Sequence, residues 1–263
     1  MKSIGFIGAG NMGFALAKAA AARFPGATIH VLDTKPERVE LFRRELPNVQ
    51  AGGSPQELAA AAQITVLAVK PQDFTALLGE LRDSRGLLVS IAAGVTIARM
   101  EQAMPLARVV RVMPNTPSLV GEMAAGYAFG ARVSDADREL VRGFLGAAGT
   151  AVAVEERLLD AVTGVSGSGP AFVVRLMEAF IAAGKRLGLS AEAARELTLQ
   201  TFRGTAVLLQ STGMETQALV DMVSSPKGTT VAGRAVLEPS DVGEVIFRTV
   251  EAAARRAAEL ARS

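Results

Sequence analysis

Residues 3–13 read Ser3-Ile4-Gly5-Phe6-Ile7-Gly8-Ala9-Gly10-Asn11-Met12-Gly13, an apolar stretch that runs directly into a glycine-rich turn. The apolar residues predict a β-strand, and small apolar residues at helical spacing after Gly13 predict a helix. Asp33 follows twenty positions after Gly13, at the end of a second predicted strand. A strand, a glycine-rich turn, a helix and an acid at this spacing are typical of a dinucleotide-binding unit.

Each part of this pattern has a separate expected purpose. Gly8 would permit the tight turn, Gly10 would let a pyrophosphate approach the backbone, and Gly13 would let helix and strand pack closely. Asp33 would accept hydrogen bonds from a ribose hydroxyl, which favours NAD over NADP.

Two basic residues leave the choice between NADH and NADPH open. Lys35 and Arg38 follow Asp33 and could pair with the 2′-phosphate of NADPH. The alternative is that both side chains belong to the solvated start of a helix. The pattern therefore predicts a nicotinamide dinucleotide, NADPH or NADH, without separating the two.

The first half of the chain alternates between predicted strands and helices. Strands are predicted over Ser3–Ile7, Thr28–Leu32, Ile64–Val69, Leu87–Ala92 and Val109–Met113. Helices are predicted over Pro36–Leu46 and after Ser54, where Glu57 would complete a capping box. Glycine, proline or polar residues follow each strand, which predicts a doubly wound parallel sheet with ligands at the carboxyl ends of its strands. We expect an α/β Rossmann domain over residues 1–155.

Helical spacing dominates from about Leu158 onward. Predicted helices cover Pro170–Leu187 and begin after Ser190 and after Ser240. Several are apolar on more than one face, which favours burial against a second copy, with an ordinary core as the alternative. We expect an all-α C-terminal dimerisation domain over residues 156–263. Its entry at Ser166–Pro170 is a glycine-rich helix start or, alternatively, a flexible hinge.

Composition narrows the classes of function. Of 263 residues, 49% are hydrophobic and 21% are charged, and the net charge is +2, so we expect a well-buried core and no nucleic-acid partner. Apolar stretches such as residues 64–69 are too short to span a membrane, and a strand at Ser3 leaves no room for a signal peptide. The lack of Cys and the single His30 argue against disulfides, a metal site and a Ser-His-Asp triad. We therefore expect a cytoplasmic protein without a metal or a membrane partner.

A hexapeptide near the end of the chain, Ser225-Pro226-Lys227-Gly228-Thr229-Thr230, predicts a second site. A proline that opens a helix, a glycine that lets backbone come close and two hydroxyls beside free N–H groups form a receptor for a small carboxylate. A nicotinamide site and a carboxylate site together indicate hydride transfer to or from a small amino or hydroxy acid.

Five motifs in order give the chain a resemblance to the pyrroline-5-carboxylate reductase family over almost its full length. They are Phe6–Gly13, Ala68–Pro71, Met113–Pro117, Ser166–Ala171 and Ser225–Thr230. The resemblance implies reduction of 1-pyrroline-5-carboxylate to L-proline by NADPH or NADH, the last step of proline biosynthesis. It also implies a homodimer of interleaved helices, often assembled further into a decamer of five dimers.

The resemblance assigns roles by position. With Asp33 from the spacing above, the cofactor-binding positions are Ile7, Gly8, Ala9, Gly10, Asn11, Met12, Asp33, Ala68, Lys70, Pro71, Ala92 and Ala93. The substrate-binding positions are Ser225, Gly228, Thr229, Thr230 and Glu156. Thr230 is the expected catalytic residue, since its hydroxyl would contact the ring nitrogen. A partly protonated cyclic imine accepts hydride readily, so the site needs orientation more than acid catalysis.

One departure from the family pattern bears on the substrate site. Lys227 stands where the family usually has glycine. If its side chain projects inward, it adds a positive charge near the carboxylate or alters the choice among cyclic imines. If the side chain projects outward, it is solvated, which is the usual situation of lysine.

Two other functions are alternatives. A β-hydroxyacid dehydrogenase would carry a lysine acid/base at the position of Val173 and an asparagine at that of Met177, and this chain has neither. A non-catalytic NAD(P)-sensing protein would use the helical domain only for dimerisation. The intact pair Thr229 and Thr230 argues against that alternative.

Overall fold

The computed structural model describes residues 1–262, without the side chains of Pro71 and Arg262. The chain forms two compact units, Met1–Pro170 together with the C-terminal segment from Val250, and Ala171–Thr249. We call them the sheet unit and the helical unit. The predicted domain boundary between residues 155 and 156 differs from the edges of these units and stays a prediction.

A sheet of eight described strands forms the centre of the sheet unit. The strands are β1 (Ser3–Ile7), β2 (Thr28–Leu32), β3 (Val49–Ala51), β4 (Ile64–Leu67), β5 (Leu87–Ser90), β6 (Arg108–Met113), β7 (Met123–Phe129) and β8 (Gly149–Ala153). Their spatial order is β3-β2-β1-β4-β5-β6-β7-β8. The first six are parallel, β7 is antiparallel to β6, and β8 is parallel to β7. The predicted doubly wound sheet is confirmed, and it carries two reversed strands at one edge.

Helices connect the strands of the sheet unit. They are α1 (Asn11–Arg23), α2 (Pro36–Glu45), α3 (Pro55–Ala61), α4 (Pro71–Glu80), α5 (Ile97–Ala103), α6 (Asp135–Gly146) and α7 (Leu159–Val162). Short 3₁₀ turns cover Thr116–Val120 and Glu156–Leu158. Of the capping box predicted for α3, the bond in which Ser54 Oγ accepts from the Glu57 N–H is present at 3.2 Å. A reciprocal capping box between Ser134 and Asp137 starts α6.

Some strand limits differ from the sequence prediction. β4 ends at Leu67 instead of Val69, and β5 ends at Ser90 instead of Ala92. Leu67 pairs with Ile7 on one side and with Ser90 on the other, so the three strands end at the same level. The residues that follow them lie in loops at the carboxyl edge of the sheet, where ligands of such folds bind.

Apolar side chains cover both faces of the sheet. Phe6 packs against Phe42 and Phe144, with ring centroids 6.0 and 6.4 Å apart. A second cluster contains Phe74 and Leu81, both fully buried. Because helices cover both faces of the sheet, all four residues of β4 are buried, instead of alternating between buried and exposed.

The glycine-rich segment at Ser166–Pro170 is helical. Residues Thr163–Gly167 form a turn of π-helix directly after α7. The N–H of Ser168 donates to the carbonyl of Thr163, five residues earlier, at 2.8 Å. The predicted helix entry is therefore part of a continuous helical run, whereas the alternative of a flexible hinge stays a prediction.

Five described helices form the helical unit, and the first and last of them continue into the sheet unit. They are α8 (Gly169–Arg186), α9 (Ala191–Thr212), α10 (Thr216–Met222), α11 (Thr229–Leu237) and α12 (Val242–Arg262). The chain enters this unit within α8 and leaves it within α12. As predicted, Ser190 caps α9 by accepting a hydrogen bond from the Ala193 N–H at 3.1 Å. The predicted all-α C-terminal region is confirmed.

Large apolar side chains of these helices are exposed in the single chain. Phe180 and Phe247 are 60% and 59% exposed. By length and composition alone, the helical run Glu156–Arg186 could cross a membrane. Only 6% of its most apolar stretch is buried within the chain. Exposed apolar helices of this kind are also what a subunit interface requires.

Candidate functional site

Two glycines of the first motif are required by the packing of the chain itself. Gly8 follows β1 with a φ of 95°, and a Cβ on it would lie 2.6 Å from the backbone of Ala68. A Cβ on Gly13 would lie 2.7 Å from the Gly8 carbonyl oxygen. Both distances are shorter than any normal Cβ contact, so only glycine fits the turn and the close approach of α1 to β1.

Gly10 is different, because nothing in the described chain requires it to be glycine. Its φ of −68° and ψ of 177° suit any residue. Apart from atoms of the neighbouring residues in the chain, no described atom would lie within 4 Å of a Cβ at this position. Gly10 is the N-cap of α1, and the N–H groups of the first helical turn have no partner within the helix. Free N–H groups beside an open space form an anion site, so this turn fits the pyrophosphate of a dinucleotide.

Asp33 is tied to the same turn. Its Oδ2 accepts a hydrogen bond from the Ala9 N–H at 2.6 Å, and its Oδ1 accepts one from the Lys35 N–H at 2.9 Å. Arg38 reaches the turn from α2, where its Nη1 donates to Asn11 Oδ1 at 3.3 Å. The acid predicted from spacing alone is thus held beside the backbone that would carry the phosphates.

The predicted positions after β4 lie next to the turn. The Ala68 N–H donates to the Ile7 carbonyl at 2.7 Å, which continues the pairing of β4 with β1. Lys70 is the exposed N-cap of α4. Pro71 begins that helix, and its side chain lies outside the described part of the structure.

The predicted positions after β5 differ in exposure. Ala92 is 5% exposed, and its N–H donates to Ser90 Oγ at 3.3 Å. Ala93 is exposed. A ligand at this loop would therefore contact Ala93 directly, whereas Ala92 packs beneath it.

The order of the strands brings these loops together. Neighbouring strands β2, β1, β4 and β5 run parallel, so the residues after each of them lie on one edge of the sheet. The chain moves outward in opposite directions from β1 and β4, which creates a crevice between their carboxyl ends. The predicted cofactor residues of the sheet unit line this edge.

The hexapeptide of the helical unit forms a tight turn followed by a helix. The Gly228 N–H donates to the Ser225 carbonyl at 2.9 Å, with Pro226 and Lys227 between them. Helix α11 begins at Thr229 with Gly228 as its N-cap. The prediction that Pro226 opens the helix is wrong, because the proline belongs to the turn before it.

Lys227 adopts a backbone conformation that favours glycine. Its φ is 61°, which is the left-handed region, and its side chain is exposed. A proline followed by a residue with positive φ is typical of a type II turn. The turn therefore explains why glycine would be favoured at this position.

The start of α11 presents free polar groups. The first intrahelical bond of the helix runs from the Ala232 N–H to the Gly228 carbonyl at 3.3 Å. The N–H groups of Thr229, Thr230 and Val231 precede it and have no partner within the helix. Together with the hydroxyls of the two threonines, they can receive a carboxylate.

Glu156 lies in the sheet unit and forms structural contacts there. Its Oε1 accepts hydrogen bonds from the Ile97 N–H at 2.7 Å and from Arg111 Nη1 at 3.1 Å. Arg111 is 8% exposed and also lies 3.8 Å from Asp160. The carboxylate of Glu156 thus caps the start of α5 and neutralises a buried guanidinium.

Asn115 is a structural residue of the site region to which the sequence did not assign a role. It is 6% exposed, its Nδ2 donates to the Ser166 carbonyl at 3.1 Å, and its Oδ1 accepts from the Ala124 N–H at 2.9 Å. It joins two of the quoted motifs, Met113–Pro117 and Ser166–Ala171. The sequence feature that could have indicated this role is an asparagine that lies between two prolines directly after a strand.

No metal cluster is found among residues 1–262, where three or more His, Asp or Glu side chains never converge. Position 30, the single His, lies within β2.

Comparison with known proteins establishes the relationship of this chain. The family model for pyrroline-5-carboxylate reductase dimerisation matches residues 156–260, and that for NADP oxidoreductase coenzyme F420-dependent matches residues 3–94. A Pseudomonas aeruginosa protein named pyrroline-5-carboxylate reductase is 40% identical over 264 residues, covering 98% of this chain and 96% of that protein. The chain belongs to the pyrroline-5-carboxylate reductase family.

Other relatives agree over the full length. The pyrroline-5-carboxylate reductase of Synechocystis sp. is 36% identical over 98% of this chain and 97% of its own. The structure of a pyrroline-5-carboxylate reductase from Coxiella burnetii matches with a TM-score of 0.94 at 32% identity, covering 99% and 98% of the two chains. The Plasmodium falciparum pyrroline carboxylate reductase, solved with NADP bound, matches with a TM-score of 0.81 at 31% identity over 99% and 98%. The predicted family resemblance is confirmed.

Proposed function

We propose that this protein reduces 1-pyrroline-5-carboxylate to L-proline with NADPH or NADH, the last step of proline biosynthesis. The observation that carries the proposal is the open space at Gly10, beside the N–H groups at the start of α1 that have no partner within the helix. Full-length similarity to proteins named for the reaction supports it.

The residues of the sheet unit would hold the dinucleotide. The backbone of Ile7–Met12 receives the pyrophosphate, and Asp33, Ala68, Lys70 and Pro71 line the adenosine side. The loop of Ala92 and Ala93 lines the nicotinamide side. When bound, NADPH or NADH supplies the hydride.

The residues of the helical unit would hold the substrate. The N–H groups at the start of α11, with Ser225, Gly228 and Thr229, receive the carboxylate. The Thr230 hydroxyl holds the ring nitrogen and is the proposed catalytic contact. A direct contact of Glu156 with substrate stays a prediction, since its carboxylate is bonded to Ile97 and Arg111.

This arrangement matches the chemical demand of the reaction. A protonated imine needs no strong acid, so a hydroxyl that fixes its nitrogen is sufficient. The site needs neither Cys nor His, and the chain has no Cys and one His. The α11 start orients the ring by its carboxylate, and Thr230 orients it by its nitrogen.

The proposed assembly is a homodimer through the apolar helices, with a decamer of five dimers as its further form. A family match to a dimerisation region at residues 156–260 and the exposure of Phe180 and Phe247 support an oligomer. We further propose a cytoplasmic protein with a small-molecule substrate and neither a nucleic-acid nor a membrane partner. The exposed apolar run Glu156–Arg186 then belongs to the subunit interface.

A spectrophotometric assay with the purified full-length protein tests the function. Loss of NADPH or NADH absorbance is measured with 1-pyrroline-5-carboxylate, with the keto form of a hydroxyacid and without substrate. We expect turnover with the imine alone. Turnover only with the keto acid would support the hydroxyacid dehydrogenase alternative, and dinucleotide binding without turnover would support the sensor.

A further inference from the structure

Asp33 lies at the end of the second strand, the position from which an acid contacts the adenosine ribose in dinucleotide-binding folds. It is the first residue after β2, whose last residue, Leu32, pairs with Ile7 of β1. The Gly8 N–H donates to the Leu32 carbonyl at 2.8 Å, so Asp33 is level with the phosphate turn. In folds of this kind the acid at the end of the second strand contacts the ribose.

The Asp33 carboxylate is fixed in position at both of its oxygens. Oδ2 accepts from the Ala9 N–H at 2.6 Å and Oδ1 accepts from the Lys35 N–H at 2.9 Å. Both bonds come from backbone, so the carboxylate cannot rotate away without losing them. Each carboxylate oxygen still has a second lone pair, which can accept a ribose hydroxyl.

A 2′-phosphate would therefore face a fixed negative charge. That group carries roughly two negative charges near neutral pH, and like charges at contact distance repel strongly in a partly buried site. Glu37 adds a further acid in the first turn of α2. A ribose with free hydroxyls instead gains hydrogen bonds from the same carboxylate.

The described side-chain hydrogen bond of the nearby cation Arg38 is made to the phosphate turn and not to Asp33. Arg38 Nη1 donates to Asn11 Oδ1 at 3.3 Å, which draws the guanidinium toward the phosphate turn. The pyrophosphate at that turn is common to both dinucleotides. Lys35 is exposed, and its backbone N–H holds Asp33 in place.

We infer that Asp33 makes this protein select NADH over NADPH, an inference that rests on the proposed function. Arg38 then strengthens the binding of both dinucleotides through their shared phosphates. Selectivity is therefore a property of one carboxylate and its two backbone donors.

Isothermal titration of the full-length protein with NAD⁺ and with NADP⁺ tests the inference without turnover. We expect NAD⁺ to bind at least about tenfold more tightly, the effect of one repulsive charge contact in a partly solvated site. Asp33→Asn keeps the shape of the side chain and removes its charge, so the ratio should fall at least about tenfold. Glu40→Gln removes the same charge from an exposed position on α2 and should leave the ratio unchanged.

Several outcomes would overturn the inference. Tighter binding of NADP⁺ than NAD⁺, or an unchanged ratio in Asp33→Asn, would contradict selection by Asp33 and leave the proposed function standing. A selective loss of NADP⁺ binding in Arg38→Ala would show that Arg38 reads the 2′-phosphate. Binding of neither dinucleotide would overturn the proposed function as well. If Asp33→Asn does not fold by circular dichroism, Asp33→Ser replaces it, since a hydroxyl can still accept from Ala9.

Discussion

The carbonyl of Ser225 accepts a hydrogen bond from the N–H of Gly228 at 2.9 Å, and this bond closes the turn in front of α11. The closure places Lys227 at a φ of 61°. The turn that leads into α11 therefore imposes backbone strain on a residue with a side chain.

Replacement of Lys227 should reveal that strain. Lys227→Gly and Lys227→Ala both remove the side chain, but only glycine adopts a positive φ at no steric cost. We expect Lys227→Gly to be more stable than Lys227→Ala by about 1 kcal/mol, measured by urea unfolding at equal protein concentration. Equal stability of the two variants would contradict the left-handed conformation.

Asn115 should contribute to stability through its two buried hydrogen bonds. Asn115→Ala leaves the Ser166 carbonyl and the Ala124 N–H without their partner. We expect a loss of about 1–3 kcal/mol in the free energy of unfolding. Asn11→Ala, at an exposed position, is the control and should stay within about 0.5 kcal/mol of the parent. An equally small effect at Asn115 would show that water replaces both bonds.

The glycines of the first motif should separate folding from cofactor binding. Gly10→Ala places its Cβ in open space, so the free energy of unfolding should change by less than about 1 kcal/mol. The affinity for the dinucleotide should fall at least about tenfold, which is the effect of one lost close contact. Gly13→Ala forces its Cβ against the Gly8 carbonyl and should cost about 1–3 kcal/mol of stability. Thermal melting without cofactor and isothermal titration with it measure the two effects. Full affinity in Gly10→Ala would remove the phosphate site from the turn.

Thr230 should affect turnover more than folding. Thr230→Ala removes the hydroxyl proposed to hold the imine nitrogen, and we expect kcat to fall by a factor of about ten to a thousand. Thr230→Ser keeps the hydroxyl and should retain most of the rate. Initial rates at saturating dinucleotide and imine give the comparison. If kcat is the same in the parent and in Thr230→Ala, the nitrogen is held by another group.

Asp137 should give stability a defined pH dependence. Burial alone would raise the pKa of this carboxyl, but hydrogen bonds from Ser134 and the contact with Arg108 lower the pKa below its usual value. A lowered folded-state pKa contributes stability above the unfolded-state pKa of about 4, and that stability is lost as the pH falls through the folded-state pKa.

The matching variant is Asp137→Asn. At neutral pH we expect it to lose about 1–3 kcal/mol of unfolding free energy, since charged hydrogen bonds are replaced by neutral ones. The difference from the parent should shrink as the pH falls below about 4, measured by urea unfolding across that range. Asp135→Asn, at an exposed position on the same helix, is the control and should show little pH-dependent change. A difference that stays constant with pH would show that Asp137 acts by shape and not by charge.

The sequence predicted local structure well at positions where the packing allows only one residue type. Gly8 and Gly13 could be assigned from spacing, because only glycine tolerates the contacts at 2.6 and 2.7 Å that the structure shows. β3, β7 and β8 were missed. In β7 the alanine and glycine of Met123–Phe129 have low strand propensity, and tertiary pairing with β6 decides their conformation.

The sequence by itself determined the family, the parallel strands β1, β2, β4, β5 and β6 and the helical C-terminal region, because motif residues and hydrophobic periodicity are local properties. Tertiary structure alone decided that Asp33 is held by Ala9 and that Glu156 neutralises Arg111. Each of these depends on which backbone N–H or guanidinium arrives from a distant part of the chain. Spacing along a sequence does not specify such a meeting, since only packing of the sheet and its helices brings the partners within hydrogen-bond distance.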